Sequence, residues 1–486
     1  MFKDILYVAN PLGLLLAAFG AAYLAPICAA LIYGDGALQP FLLAGFADLA
    51  AGLALWRLTR PYARDLKSRD GYLLVALAWV LTAASAAVPL MLAIPGLSFT
   101  RAYFEAMSGV TTSGATVLSG IDNLPHAVNL WRHELCWLGG LGIITLGMAV
   151  LPLLGIGGMQ VYRAEATGPI KDSRLTPRFV QTARSLWLIY IGLTVACMVL
   201  LRLAGMNWFD AICHAFSALS LSGFSTHDAS IGYYNSPLIE FVLIVFMLLA
   251  GINFATHYMV WRSKSLKTYR RDIEARAYLL VLLGSCVFIA WYVWHLGVYA
   301  NYWLSLRHVA FNLVSTVTNC GLVSLDYTRW PLFACLWMLL LSCVTASAGS
   351  TGGGIKMVRT LILFKQSAGE LFGLVHPTAV QSLKVGGQVV NERTTLSVFS
   401  FVHIYTITVI VLSMLLILSG MDLITAFSAV VAMINNGAHG LGGVGPSHTF
   451  GALNEFQTWV CTFAMVAGRL ELFMILVPLT PAFWRE

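Results

Sequence analysis

The stretch Phe104-Glu-Ala-Met-Ser-Gly-Val-Thr-Thr-Ser-Gly114 decides how the rest of the chain is read. It begins as a short apolar helix and dissolves into small residues that end on a glycine. Hydrophobic runs long enough to cross a bilayer lie on either side of it. A membrane helix does not ordinarily stop halfway, because an unpaired backbone group in hydrocarbon is costly. Non-helical backbone at that depth survives only when buried in protein or lining a water-filled path. A half-helix followed by bare peptide is therefore a candidate ion site, with carbonyl oxygens as the ligands.

The composition supports that setting. Of 486 residues, 58% are hydrophobic and only 10% charged, against roughly 25% charged in an average soluble domain. The fold class is all-α and polytopic. Ten candidate spans fall at 11–33, 39–56, 71–94, 131–155, 185–204, 237–261, 277–297, 332–363, 395–419 and 457–480. The first has no small-residue cleavage site and is read as a span, not as a leader. Between later spans lie three more short apolar segments, each too short to cross: Asn207 to Phe224, Arg307 to Leu322 and Asp422 to Leu441. Each turns polar and reaches a glycine region, as the opening stretch does. Span, half-helix, loop, span recurs four times, which is an internal repeat. The expected division is two extra N-terminal spans (1–70) and four repeats (71–160, 161–265, 266–390, 391–486).

Charge gives the orientation. The lysines and arginines concentrate in four linkers, with Arg57 to Arg69, Arg163 to Arg184, Arg262 to Arg276 and Lys356 to Arg393 as their limits. All four fall on one side of the ten spans, so that side, with both termini, is cytoplasmic. The positive-inside rule accounts for the net charge of +7 without nucleic acid. The half-helices then enter from the outer face, where acids such as Glu105, Asp210, Asp228, Asp326 and Asp422 outnumber bases and would concentrate cations. The nine cysteines contain no CxxC pair, so neither a zinc site nor a disulfide framework is indicated. His214, His227, His257 and His439 share no ligand spacing and read as packing or loop residues.

Aligned on their ends, the loops are Thr111-Thr112-Ser113-Gly114, Ser220-Leu221-Ser222-Gly223, Thr318-Asn319-Cys320-Gly321 and Asn435-Asn436-Gly437-Ala438. Small residues let four extended backbones approach one axis, and a ring of carbonyls can replace a monovalent cation's hydration shell. Close helix packing would also use Gly and Ser, but packing alone predicts no fourfold repetition. The register of the fourth loop is open. Its motif places Ala438 at the glycine position, whereas counting ten residues from Phe427 selects Gly437. Cys320 sets a thiol beside the loop, where a thiol reagent would act.

Together with Ser222-GFSTHD, Asn435-Asn436 followed by Gly440-Leu441-Gly442, and Ala348-GSTGGGIK-Met357, these loops resemble the Trk/Ktr/HKT superfamily of potassium transporters over nearly the whole chain. The resemblance implies one pore per chain, built of four M1–P–M2 units about a pseudo-fourfold axis, with potassium held by carbonyls of the sixteen loop residues. Gly114 is the residue that favours potassium, because related plant members with serine there tend to pass sodium. The resemblance further implies a homodimer in the bacterial inner membrane, no cofactor of its own, and a cytosolic nucleotide-binding regulatory subunit, TrkA.

The eighth span is interrupted by Gly349-Ser350-Thr351-Gly352-Gly353-Gly354-Ile355-Lys356. This superficially matches a phosphate-binding loop but lacks the preceding strand that motif needs. Glycines at membrane depth suit a hinge or a cavity-lining loop, and the resemblance implies a gate beneath the filter. Arg469 sits near the middle of the last span, where burial costs at least about 2.5–3.5 kcal/mol, so it should face a pore or a partner. The resemblance makes it an electrostatic gate. Glu471, two residues on, points elsewhere on a helix and is not its obvious partner. Two other function classes compete. A cation symporter with alternating access also uses broken helices, although its repeats are commonly inverted. An intramembrane protease needs a nucleophile with a matched histidine, and combinations such as Ser225 with His227 lack the glycine frame.

Overall fold

The computed structural model describes residues 2–64, 66–150, 177–344, 346–379, 382–438 and 440–485. The boundary expected at 160/161, the basic residues Arg163, Lys171 and Arg174, Thr345 and His439 lie outside them. The leading spans are α1 (Phe2–Phe19), α2 (Leu24–Tyr33) and α3 (Leu38–Thr59). A single 3-10 turn joins α1 to α2, so one span runs through to Tyr33. Helices α1 and α3 touch backbone to backbone: a Cβ added at Gly13 or at Gly52 would lie 2.5 Å from the Trp56 or Ala17 amide nitrogen. Without a hydrophobic driving force inside lipid, such small-residue contact is what holds membrane helices together.

Four repeats follow. The first is α4 (Ser68–Ala93), the short α5 (Phe99–Val110) and α6 (His126–Val150). The second is α7 (Pro177–Leu203), the short α8 (Trp208–Ser220), α9 (Pro237–Ala250) and α10 (Phe254–Ser263). A five-residue α11 (Lys267–Arg271) leads to the third repeat, with α12 (Ile273–His295), the short α13 (Tyr302–Val317), α14 (Leu332–Ser342) and α15 (Met357–Val375). A two-residue hairpin, β1 (Lys384–Val385) with β2 (Gln388–Val389), precedes the fourth. That repeat contains α16 (Glu392–Leu418), the short α17 (Leu423–Ile434), α18 (Glu455–Arg469), α19 (Phe473–Leu479) and α20 (Pro481–Trp484).

Among the described residues, six helices are long and apolar enough to cross a membrane, and eight spans result if each bent pair counts once. The bent pairs are α9 with α10, at 94°, and α18 with α19, at 112°. The sequence suggested straight spans at both places. The eighth expected span is an 11-residue helix, an irregular segment and a 19-residue helix.

The short helices occupy the centre. In α5 every residue from Ala102 to Val110 is buried. Each short helix starts on a side-chain cap that accepts from the backbone amide three residues on: Ser98 from Arg101, Asn207 from Asp210, Asn301 from Leu304 and Asp422 from Thr425. A cap of this type stabilises a helix by about 0.5–2 kcal/mol, and it fixes where each half-helix begins.

Candidate ion pathway

The four loops leave the C-terminal ends of α5, α8, α13 and α17 with the same turn over their second and third residues, while at the fourth position φ is positive in Gly114 and Gly321 and not in Gly223 or Ala438. The second loop residue is left-handed in every case: Thr112 (φ 58°), Leu221 (55°), Asn319 (66°) and Asn436 (55°). The third residue then donates its amide five residues back, Ser113 to Ser108, Ser222 to Ser217, Cys320 to Ser315 and Gly437 to Ala432, at 2.8–2.9 Å. This repetition places Gly114, Gly223, Gly321 and Ala438 at one equivalent position. The fourth-loop register is therefore the one with Ala438. Counting from Phe427 fails because the residue matching Phe104 and Phe311 is Ser428.

These four positions meet. A Cβ added at Gly114 would run into the Gly223 amide, and one added at Gly223 or Gly321 would lie 2.6 or 2.8 Å from the Ala438 Cβ. Loop side chains bond largely to their own helices or to neighbours. Thr111 Oγ1 donates to Met107 O (2.7 Å), Ser220 Oγ to Phe216 O (2.7 Å) and Thr318 Oγ1 to Val314 O (2.8 Å). Asn435 accepts from the Tyr405 hydroxyl (2.8 Å), and Asn436 Nδ2 bridges Ser113 Oγ (3.2 Å) and Met465 O (2.8 Å). Cys320 is fully buried, and its thiol donates to Ser222 O of the second loop (3.3 Å). It braces two adjacent loops from behind and does not present itself to a reagent.

Each loop is clipped to its helix at a second point. Glu105 accepts from the Val117 amide (2.9 Å) and from Arg132 Nε (2.8 Å), and both ionic side chains are at most 1% exposed. The guanidinium also stacks 4.3 Å over Phe224 of the second loop. At the equivalent place His214 Nε2 shares a 2.9 Å hydrogen bond with Ser225 Oγ, and Asn312 bonds the Ser324 amide (3.2 Å) and hydroxyl (2.8 Å). In the fourth repeat that position is Ala429, and the neighbouring Ser428 takes over by accepting from the Leu441 amide (2.8 Å). The imidazole that meets the Ser225 hydroxyl is that of His214 and not that of His227, and the place of the His214–Ser225 pair in the repeat makes it a clip like the other three.

The expected acidic mouth is partly used internally. Glu105 and Asp210 are 1% and 4% exposed; Arg132 neutralises the first, and the second accepts from Thr226 (2.7 Å) and Tyr234 (2.6 Å). His227 joins Asp210 to Asp122 of the first repeat. His257 bonds Tyr269 and Leu249 O. Among the described residues, no group of three or more His, Cys, Asp or Glu is placed to hold a metal.

Beneath the ring lies the segment between α14 and α15. A Cβ on Gly352 would be 3.1 Å from the Thr318 carbonyl, and one on Gly353 would overlap the Asn435 carbonyl. Thr351 Oγ1 donates to Leu219 O (3.0 Å). Gly349 (φ 74°) and Gly354 (φ 84°) turn the chain at either side, and Lys356, itself at φ 74°, donates from Nζ to Gly352 O. Ser350 Oγ donates to Ser347 O (2.6 Å). Arg469, 3% exposed, ends α18 instead of sitting inside a straight span. It donates to Thr351 O (2.9 Å) and to Gly139 O of α6 (3.1 Å). Glu471 and Leu472 are both left-handed (φ 51° and 56°), which turns the chain away. As expected, Glu471 is not the partner of Arg469; it pairs with Arg359 of α15.

The architecture and its sequence have clear relatives. The TrkH family model, described as "Cation transport protein", matches residues 37–484. The Trk system potassium uptake protein TrkH of Escherichia coli K12 is 44% identical over 475 residues, 98% of each chain. TrkH of Vibrio parahaemolyticus is 44% identical over 490 residues, 100% of each chain. The crystal structure of the potassium transporter TrkH from Vibrio parahaemolyticus superposes with a TM-score of 0.92 at 40% identity, covering 100% of both chains. With four pore-loop repeats about a pseudo-fourfold axis and two extra helices before them, this multi-pass membrane protein belongs to the TrkH family of cation transport proteins.

Proposed function

We propose that this chain takes up potassium across the bacterial inner membrane through a gated, channel-like pore. The observation that carries this reading is one turn repeated at the carboxyl ends of four converging helices, a left-handed second residue followed by an amide that reaches back five residues. Those ends carry the negative pole of each helix dipole, and the extended residues beyond them supply carbonyls. The selecting residues are Thr111–Gly114, Ser220–Gly223, Thr318–Gly321 and Asn435–Ala438. Potassium is the transported ion and not a resident cofactor.

The segment Gly349–Gly354 with Lys356 is the gate, and Arg469 is its latch. A glycine-rich segment against three of the four loops obstructs the axis, and a buried cation bonded to it raises the barrier for cations. Binding of Arg469 to the Thr351 carbonyl couples the charge to the obstruction, so the two move together. The chain acts as a homodimer with the cytosolic subunit TrkA. The exposed basic turn carrying Arg262, Lys264, Lys267, Arg270 and Arg271 offers that partner a cytoplasmic docking face.

The test is a comparison of rubidium and sodium flux into proteoliposomes, with and without an imposed potential. Rubidium flux that follows the potential alone and exceeds sodium flux supports conduction. A strict requirement for a proton or sodium gradient would instead establish coupled symport.

A further inference from the structure

We propose that Glu274 is the pin of the intramembrane segment: one carboxylate oxygen ties its two ends together and holds it docked. Glu274 lies in the first turn of α12, outside the segment and outside the ion path, and is buried. Its Oε1 accepts from the Ala348 amide (2.7 Å) and from the Val358 amide (3.1 Å). Ala348 is the residue just before the left-handed Gly349, and Val358 is in the first turn of α15. A single side-chain atom thus spans the entrance and the exit of the turn that lies under the ring. The helix start that carries Glu274 is fixed by Asp272, two residues earlier. Asp272 caps α12 by accepting from the Glu274 amide (3.0 Å), and it accepts from Thr256 of α10 (2.6 Å).

The same end of the segment is docked on the elbow between α9 and α10. Ser347 donates its amide to Gly251 O (3.1 Å), and Phe254 donates to Gly349 O (3.1 Å). The bend of 94° in the second repeat and the break in the third are therefore one joint, and Glu274 closes it. Its energetics are one-sided. A buried carboxylate is tolerable only while hydrogen-bonded, and the two amides, once buried, are costly without an acceptor. The docked segment and the satisfied carboxylate are one state. Removing the acceptor penalises that state selectively, because in the undocked state the amides can meet water. Glu274 touches no ion and is a positioning residue.

This inference rests on the reading of the segment as a gate, so its test includes a variant that probes that reading alone. Single-channel recording of the full-length protein in planar bilayers is to compare wild type with Glu274→Ala, Glu274→Gln, Glu274→Asp and Arg469→Ala. Glu274→Ala is expected to raise open probability roughly tenfold, the effect of orphaning buried amides in one state only. Unit conductance and the ranking of potassium, rubidium and sodium should stay as in wild type. Glu274→Gln keeps an acceptor oxygen at the same reach and should restore open probability to within about twofold. If Glu274→Ala yields no folded protein, Glu274→Asp, too short to span both amides, should raise open probability in its place. A merely structural role would reduce the amount of active protein without raising open probability, and that result overturns the pin. So does a Glu274→Gln protein as open as the alanine variant. Should Arg469→Ala raise open probability while the alanine and aspartate variants do not, the pin fails and the gate stands. No change in any of them removes both.

Discussion

The loop ring and the helices that return from it obey different rules. In the ring, four loops share one turn, with left-handed second residues at φ 55–66° and the same amide reaching back five residues. Away from the ring, the four returning helices share almost nothing. Helix α6 runs unbroken over His126–Val150, α9 turns through 94° into α10, α14 gives way to an irregular segment, and α18 turns through 112° into α19. On the proposed function, the difference follows from what each part does. A site that replaces a hydration shell needs equivalent distances from one axis, so symmetry is useful there. A gate needs two states of unequal occupancy of the axis, and one displaced segment from one repeat supplies that with the least rearrangement.

Breaking the ring's support should have the largest effect. Arg132→Ala leaves Glu105 charged, buried and unpaired, and removing one partner of such a pair costs about 3–5 kcal/mol. A large fall in the melting temperature of the detergent-solubilised protein, together with lost uptake, is expected; an unchanged melting temperature would show that the clip does not hold the first loop. Away from the loops, Arg469→Ala removes the donor to Thr351 and Gly139 without touching the ring. Potassium flux should rise several-fold in well-folded protein, and equal or lower flux would exclude the latch. Gly114→Ser tests the symmetry itself. Gly114 stands at φ 70° and an added Cβ would collide with Gly223, so two quarters of the ring must shift. Sodium flux should gain a few-fold relative to rubidium, and a constant ratio would remove this loop from selection.

The smallest effect is expected at the helix starts. Asp422→Ala removes one of the four caps and should lower stability by about 1 kcal/mol, read from the melting temperature. The hydrogen bond from the Thr425 amide holds the Asp422 carboxyl below its ordinary range. Its folded pKa is thus depressed, and the stabilisation is present above the unfolded pKa and lost as pH falls through the folded one. The gap between wild type and Asp422→Ala should therefore close in acid and stay open at neutral pH.

The fourfold plan was legible because it is written in hydropathy and in glycine spacing, both of which survive in one dimension. Other features depend on partners far away in sequence. Nothing near Arg132 announces Glu105, 27 residues earlier, and nothing near Glu471 announces Arg359. The bend after Arg469 is carried by Glu471 and Leu472, neither a residue type that signals a left-handed turn. The fourth-loop register could not be counted from an aromatic, because Ser428, and not Phe427, occupies the equivalent helix position. A linear sequence places the Cys320 thiol beside the third loop but does not say which way it turns, and it turns to the Ser222 carbonyl.

The left-handed residues of the four loops are threonine, leucine, asparagine and asparagine. A backbone state that disfavours side chains by roughly 1–2 kcal/mol is thus held in common by chemically unrelated groups, because the useful atoms belong to the main chain. A ring assembled by repeating one unit can then drift apart in sequence while its working surface stays uniform. The copies keep a conformation in common and are free to lose the alphabet that once spelled it.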